Sequence, residues 1–283
     1  MRLDSLWDTL EVELLEIFRH YRTRLDTLDI DTKPDATLLT EADIAVEKLI
    51  VTRLRELDRN AVIVAEEDDR AARRQDVLTS PESVWVIDPI DGTAEFVRPD
   101  RVEFCSVVCL LRHRTPVAAF VLAPEVGTDR RPITVTADSA TGTVLVNRAA
   151  AKARAADQPR AASVTRSGGV PPRPFEEPML RAGYELKTRT TSQTLDMVRT
   201  ALDLSDVTGG KLRPFRLFHR RQQKVWDGLA GLCIGEATGL LAVDTNGHNR
   251  LPVDIETLSQ PEPTFDATTM GSPEEVKWFL GIT

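Results

Sequence analysis

Apolar residues recur at helical spacing near the start of the chain and form short runs further along. Between residues 3 and 25 they return every three or four positions, which predicts a long amphipathic first helix. The same spacing resumes after Thr40, so we expect a second helix to begin there and to end near Asn60. These two patterns predict a helical pair ahead of the first strands.

Short apolar runs bounded by turn residues predict strands over most of the remaining chain. A charged stretch, 68–76, is expected to be a solvated loop or helix, and Gly142 is expected in a turn between two paired strands. The Ala- and Arg-rich segment 148–159 is the candidate boundary between two lobes, residues 1–150 and 151–283. Strands are predicted at 61–65, 84–87, 104–111, 117–122, 133–137, 143–146, 161–165 and 212–218, and helices at 195–204 and 226–237.

Composition narrows the class of protein without naming a function. The chain has 283 residues, with 36 Lys plus Arg against 44 Asp plus Glu, giving a formal net charge of −8. This balance argues against a nucleic-acid binder, which would normally be basic. Cys105, Cys109 and Cys233 lie in apolar runs, as free thiols of a reducing compartment do. With no signal-peptide core near the start and no membrane-length apolar run, we expect a cytoplasmic protein.

The stretch 84–93, ending Asp-Pro-Ile-Asp-Gly-Thr, is the first candidate for chemistry. It places Asp88 and Asp91 on a rigid turn after a strand, where like charges repel unless a cation lies between them. The Ile90 carbonyl and the Thr93 hydroxyl add two oxygens, and Mg²⁺ prefers such an all-oxygen set. Asp, Pro and Gly are also common in ordinary surface turns, and both interpretations stay open on this stretch alone.

Three further carboxylates stand at the ends of predicted elements, and each has an ordinary structural explanation. Asp43 lies three residues after Thr40 and could complete a capping box for the second helix. Glu66 follows a strand and could belong to a solvated loop. Asp227 falls in the first turn of a helix, where the helix dipole favours an acid.

The order of these residues resembles the inositol monophosphatase family of metal-dependent phosphatases. Lys33 and Asp35 also match the loop that precedes the family's helix, and the resemblance runs with gaps from about Lys33 to Asp244. Gly92–Val97 with Glu103-Phe104 looks like the 3′(2′),5′-bisphosphate nucleotidase branch. The matching motifs are Thr40-x-x-Asp43, Ala65-Glu66-Glu67, Asp88-Pro89-Ile90-Asp91-Gly92-Thr93 and Trp226-Asp227-x-x-Ala230-Gly231.

The resemblance implies an α/β fold, the layered αβαβα sandwich of the inositol monophosphatase and fructose-1,6-bisphosphatase type. It implies a phosphomonoesterase in which a metal-activated water attacks in line, with no covalent intermediate. A homodimer is expected by analogy alone. The implied roles are as follows: Glu66, Asp88, Asp91, Asp227 and the Ile90 carbonyl hold two or three Mg²⁺ ions; Asp43, Thr93 and Lys33 are catalytic; Gly92, Thr93 and Asp227 contact substrate.

The segment 218–224 departs from the family, which usually has small residues there. It is basic in this chain, and Arg220 or Arg221 could bind a second phosphate or carboxylate of the substrate. A solvated charged face explains the segment equally simply. The substrate is therefore open between a bisphosphate nucleotide and an inositol, sugar or biosynthetic phosphate, and a relative without turnover is a third reading.

Overall fold

The computed structural model describes residues 3–33, 37–67, 82–154 and 159–283. The predicted charged segment 68–76 and the matched Asp35 lie outside the described residues. Nine α-helical segments occur within the described part. They are α1 (Leu3–Arg22), α2 (Glu41–Leu57), α3 (Thr93–Phe96), α4 (Glu176–Arg181), α5 (Gln193–Ala201), α6 (Ser205–Thr208), α7 (Val225–Ala237), α8 (Ile255–Leu258) and α9 (Pro273–Leu280).

The strands form three sheets. A two-stranded ribbon pairs β1 with β2, a seven-stranded sheet has the order β3-β4-β5-β6-β7-β8-β9, and a five-stranded sheet has the order β11-β10-β12-β14-β13. The strands are β1 (Ile30–Thr32), β2 (Leu38–Thr40), β3 (Val62–Ala65), β4 (Ser83–Asp91), β5 (Cys105–Arg112), β6 (Thr115–Ala123), β7 (Ile133–Asp138), β8 (Thr143–Val146), β9 (Ala149–Ala150), β10 (Ala161–Arg166), β11 (Glu185–Arg189), β12 (Leu217–Lys224), β13 (Leu241–Val243) and β14 (Thr264–Gly271).

Helices and sheets alternate in five layers. Helices α1 and α2 cover one face of the seven-stranded sheet through a core that includes Phe18 and Phe120. Helices α5 and α7 lie between the two large sheets, where Leu229 and Phe265 share one core with both. Helices α4 and α9 cover the outer face of the five-stranded sheet around Phe279. The predicted αβαβα layering is confirmed, and the division into lobes at residue 150 stays a prediction.

Strand β4 runs further than the apolar pattern predicts. The run 84–87 is apolar, but the strand continues through Asp88 and Asp91, which are 1% and 4% exposed. A register shift against β5 falls between these two aspartates, and Pro89 is tolerated there because a bulge needs no ladder donor. The strand therefore carries two carboxylates into the interior.

The predicted strand at 212–218 is wrong in position. The strand β12 begins at Leu217 and runs through the basic segment to Lys224, pairing with β14 along its length. The pattern of apolar residues does not reveal this strand. Arg220 and Arg221 interrupt the alternation of buried and exposed positions, which ends on the buried Gln223. The second helix also ends earlier than expected, at Leu57 rather than near Asn60.

Three further features of the described residues are the packing of residues 278–280, the state of the thiols and the lack of a membrane-spanning helix. Residues 278–280 pack internally, since Phe279 is buried and Trp278 stacks on Tyr184 with ring centroids 5.0 Å apart. All three cysteines are buried and free, as predicted. Within the ranges given above, no helix combines the length and the apolar character needed to cross a bilayer.

Candidate metal and phosphate site

The turn after β4 aims its functional groups into a cavity of about 800 Å³. Gly92 caps α3 with φ of 98°, a left-handed conformation that glycine adopts without strain. A Cβ atom at Gly92 would also lie 3.0 Å from the carbonyl oxygen of Glu103. Both facts explain why this position needs glycine. Gly92 and Thr93 line the cavity beside Asp91.

Three buried carboxylates meet on this cavity wall. Asp88 and Asp91 come from β4, Asp227 comes from the first turn of α7, and one oxygen of each lies within 4.8 Å of the others. Asp88 and Asp227 have carboxyl pKa values well above the ordinary range, because burial and the neighbouring acids oppose ionisation. Among the described residues, Asp88 Oδ1 is buried without a hydrogen-bond partner. An all-oxygen set with an orphaned buried carboxylate atom fits a hard divalent cation such as Mg²⁺.

Asp91 is held by the amino end of α5, more than 100 residues away in sequence. The Ser192 hydroxyl and the Thr194 backbone N–H donate to Asp91 Oδ2 at 2.8 and 2.6 Å. The Gln193 backbone N–H donates to Asp91 Oδ1 at 3.2 Å. Burial still outweighs these hydrogen bonds and raises the pKa of Asp91 to about 6. These donors fix the carboxylate orientation before any cation binds.

Gln193 is a site residue that the sequence analysis missed. Its side chain lines the cavity, and Nε2 donates to Asp227 Oδ2 at 2.5 Å. The one available signal is Ser192, whose hydroxyl caps α5 by accepting from the Leu195 N–H and so marks where that helix begins. The identity of the residue facing Asp227 depends on tertiary packing and has no local signature.

Asp43 caps the second helix and also lies beside Thr93. Its Oδ2 accepts from the Thr40 backbone N–H at 2.8 Å and from the Thr40 hydroxyl at 2.6 Å, completing a capping box. Its Oδ1 lies 3.3 Å from Thr93 Oγ1, whose hydroxyl also lies 3.1 Å from the Ile90 carbonyl oxygen. Burial raises the pKa of Asp43 to about 6 against the hydrogen bonds from Thr40. One carboxylate therefore caps a helix and faces the site.

Lys33 and Glu66 lie together at the edge of the same site. Glu66 lines the cavity, and its Oε1 accepts from Lys33 Nζ at 2.7 Å. Lys33 also contacts Glu67 at 2.5 Å, and burial together with the Glu66 charge raises the pKa of Glu67 to about 7. Burial alone would lower the pKa of Lys33, but the two glutamates raise it above its ordinary value. Glu66 acts electrostatically on Asp88 and Asp227 from outside the tight cluster of three aspartates.

The two arginines predicted to contact substrate differ in position. Arg220 is half-buried and lines the cavity, whereas Arg221 is exposed and is not among the lining residues. The burial of Arg220 lowers its pKa, and the charges of Asp227 and Asp91 oppose that change. Of the pair, only Arg220 is placed where a ligand of the cavity could meet it.

The raised carboxyl pKa values predict how bound metal stabilises the protein. Free Asp titrates near 4, so above that pH the folded, metal-free protein holds protons that the unfolded chain has released. Its free energy of unfolding therefore falls as pH rises through the pKa of about 6 of Asp43 and Asp91. Mg²⁺ bound at Asp91 would replace the proton of that carboxyl group, so the gain in Tm from added Mg²⁺ should be larger at pH 8 than at pH 5. A gain of equal size at both pH values, measured by scanning calorimetry, would contradict this.

Comparison with known proteins gives the same family as the motifs. The model of the inositol monophosphatase family matches residues 9–273. The 3′(2′),5′-bisphosphate nucleotidase CysQ of Escherichia coli K12 is 33% identical over 97 residues, which are 34% of this chain and 38% of that protein. The histidinol-phosphatase of Mycobacterium tuberculosis is 37% identical over 105 residues, or 36% of this chain and 38% of that protein. The chain thus matches just over a third of the length of these curated relatives.

Solved structures agree on the fold over nearly the whole chain. Staphylococcal inositol monophosphatase-1 superposes with a TM-score of 0.74 at 17% identity, covering 100% of this chain and 95% of that one. An IMPase/NADP phosphatase complexed with Mg²⁺ and phosphate gives 0.73 at 16% identity, covering 99% and 95%. Because the family model spans most of the chain, this protein belongs to the inositol monophosphatase family.

Proposed function

We propose that this protein is a Mg²⁺-dependent phosphomonoesterase that hydrolyses a small phosphorylated metabolite. The observation that carries the proposal is the cluster of Asp88, Asp91 and Asp227, three buried carboxylates within 4.8 Å on the wall of an 800 Å³ cavity. Cations held by these residues, with Glu66 and the Ile90 carbonyl, would neutralise phosphoryl oxygens and lower the pKa of a bound water. Uncatalysed hydrolysis of such esters is among the slowest reactions known, so this electrostatic help is needed.

The chain's own groups supply orientation and proton transfer. Asp43 lies beside the Thr93 hydroxyl, and its pKa of about 6 leaves it mostly ionised at neutral pH, ready to accept a proton through Thr93. Ser192 and Thr194 hold Asp91 and Gln193 holds Asp227, so the acids keep their arrangement without rearranging during the reaction. The Gly92 turn brings backbone close to the place where the phosphoryl group would sit.

Among substrates, we propose a 3′(2′),5′-bisphosphate nucleotide or a close relative. The support is the match to CysQ and the sequence pattern around Glu95 and Glu103. The cavity volume is within the range of pockets that bury a nucleotide-sized ligand. The match to a histidinol-phosphatase keeps a phosphorylated biosynthetic intermediate as the second candidate, with the same chemistry at the carboxylates.

Phosphate release over a matched panel tests the proposal. The panel contains adenosine 3′,5′-bisphosphate, the 2′-phosphate of NADP, inositol 1-phosphate, histidinol phosphate and p-nitrophenyl phosphate, each with Mg²⁺. We expect the highest kcat/KM for adenosine 3′,5′-bisphosphate. A clear preference for histidinol phosphate would move the assignment to the second candidate, and no release from any ester would contradict phosphatase activity.

A further inference from the structure

One part of the cavity wall is basic although the protein as a whole is acidic. Arg166, Arg189 and Arg220 line the cavity that also holds the carboxylate cluster. The Arg166 side chain donates to Glu176 at 2.9 Å, and Arg189 pairs with Glu95. These two arginines are therefore neutralised by partners within the fold.

Arg220 has no such carboxylate partner among the residues that the structure describes. Its Nη1 donates to the Thr190 hydroxyl at 3.1 Å. Its Nε is buried, and no acceptor for it occurs among the described residues. No carboxylate of the described ranges forms an ion pair with its guanidinium. A half-buried guanidinium with an unsatisfied N–H is costly, and its place on the cavity wall fits an acceptor that a ligand of the cavity would bring.

A second arginine, Arg173, also has an unsatisfied N–H, but unlike Arg220 it is not among the residues that line the cavity. Its Nη1 is buried and has no partner within the described part of the chain. Burial lowers the pKa of Arg173, and the charges of Arg221, Arg220 and Arg166 act in the same direction. Glu176 offsets only part of this charge, and its Oε1 is already shared between the Arg166 side chain and the Arg173 backbone N–H, each at 2.9 Å.

Histidine does not add to the positive charge of this cluster. His219 is 6% exposed, and burial together with Arg173 and the adjacent arginines lowers its pKa to about 3. It is therefore neutral near pH 7, with Nδ1 hydrogen-bonded to Thr269 at 2.9 Å. The positive charge on this part of the cavity wall therefore comes from arginines, of which Arg166 is paired with Glu176 and Arg189 with Glu95, while Arg220 has no carboxylate partner among the described residues.

We propose that Arg220 binds a second anionic group of the substrate, a phosphate or a carboxylate on the part that does not react. Guanidinium groups bind such anions through paired N–H donors, and Arg220 lines the same cavity as Asp88, Asp91 and Asp227. One small molecule can therefore meet both sites. This inference rests on the proposed function and deepens it: the substrate is a phosphomonoester with a second anion, and an ester that ends in an ammonium group is disfavoured by charge.

Matched pairs of substrates and variants test the subsite. The pairs are adenosine 3′,5′-bisphosphate with adenosine 3′-phosphate, and 3-phosphoglycerate with glycerol 3-phosphate, which separate a second phosphate from a carboxylate. For whichever doubly anionic ester the wild type prefers, Arg220→Gln should lower kcat/KM about ten- to a hundredfold, the range for lost charged hydrogen bonds, mainly through KM. For the matched singly anionic ester the change should stay below about threefold.

The matched control is Arg221→Gln, which removes the same charge from the neighbouring, exposed position of the same strand. It should change neither substrate class by more than about twofold, because exposed charges contribute little. Equal losses on both members of a pair in Arg220→Gln, at an unchanged Tm, would overturn the second-anion role. Equal effects of Arg221→Gln and Arg220→Gln would show that arginines on this strand act only through their overall charge. That result would contradict a specific contact between Arg220 and the second anion.

A binding measurement separates this inference from the proposed function. Calorimetric titration of adenosine 3′,5′-bisphosphate and 3-phosphoglycerate in EDTA needs no turnover, and Arg220→Gln should raise the Kd of the preferred ligand about tenfold, as for one charged contact. Absence of phosphate release from every ester would contradict the phosphatase activity alone, and the calorimetry would then decide on the subsite. Identical Kd values for wild type and Arg220→Gln would overturn the subsite even in an active enzyme.

Discussion

Replacing Asp88 by asparagine is expected to lower phosphate release roughly a thousandfold or more, since electrostatic stabilisation is usually the largest contribution to such catalysis. The asparagine side chain keeps the size of the aspartate and removes the charge that a cation needs. In the metal-free protein, burial and the neighbouring acids already oppose ionisation of Asp88, so a neutral asparagine adds no charge penalty there. The variant should therefore lose activity while its metal-free Tm is unchanged or higher.

This pair of effects is specific to a metal ligand. A residue that merely supported the fold would lower both activity and Tm when changed. Asp100→Asn is the matched control, because the Asp100 side chain is 74% exposed and Asp100 does not line the cavity. It should leave both quantities as they are in the wild type. Phosphate release by Asp88→Asn at the wild-type rate would rule out the proposed metal site.

Thr93→Ala is expected to lower kcat about a hundredfold or more, the range for loss of positioned general-base catalysis. The Thr93 hydroxyl lies 3.3 Å from Asp43 Oδ1, and in the proposed mechanism it would pass a proton from the reacting centre to Asp43. Thr93→Ser keeps the hydroxyl and should recover most of the rate. Asp43→Asn keeps an oxygen for the Thr40 cap but cannot take a proton, so it should resemble Thr93→Ala in kcat. Steady-state kinetics of these variants on one phosphomonoester measures the effect.

A variant at Thr40 separates the two roles of Asp43. Thr40→Ala removes the hydroxyl that caps α2, and it should cost about 1 kcal/mol of stability. The Thr40 backbone N–H still donates to Asp43 Oδ2, so the carboxylate stays near Thr93 and kcat should change little. A loss of kcat in Thr40→Ala as large as in Thr93→Ala would show that Asp43 matters through the cap.

The sequence predicted much of the carboxylate cluster because two of its three aspartates, Asp88 and Asp91, lie close together in the chain. Asp88, Asp91 and Gly92 follow one another on a single strand and turn, so their relative positions depend on few backbone angles. The capping box of Asp43 was equally visible, since a cap needs only residues three apart. These were the features for which spacing along the chain and spacing in the fold are nearly the same.

The supports of the site could not be predicted in this way. Gln193 reaches Asp227 only because α5 packs closely on α7, where a Cβ atom on Gly231 would lie 2.5 Å from Met197 Cβ. The strand β12 was placed too early because its exposed Arg221 obscured the alternation of buried positions.

Restoration of activity by magnesium tests the central claim most directly. The protein is stripped of metal with EDTA, and phosphate release from adenosine 3′,5′-bisphosphate and p-nitrophenyl phosphate is measured as Mg²⁺ is returned. The buried carboxylate cluster predicts negligible release without metal and saturable recovery with Mg²⁺ for wild type, and no comparable recovery for Asp88→Asn. Full phosphate release in EDTA, or equal recovery in Asp88→Asn, would contradict the assignment of these carboxylates as the metal site.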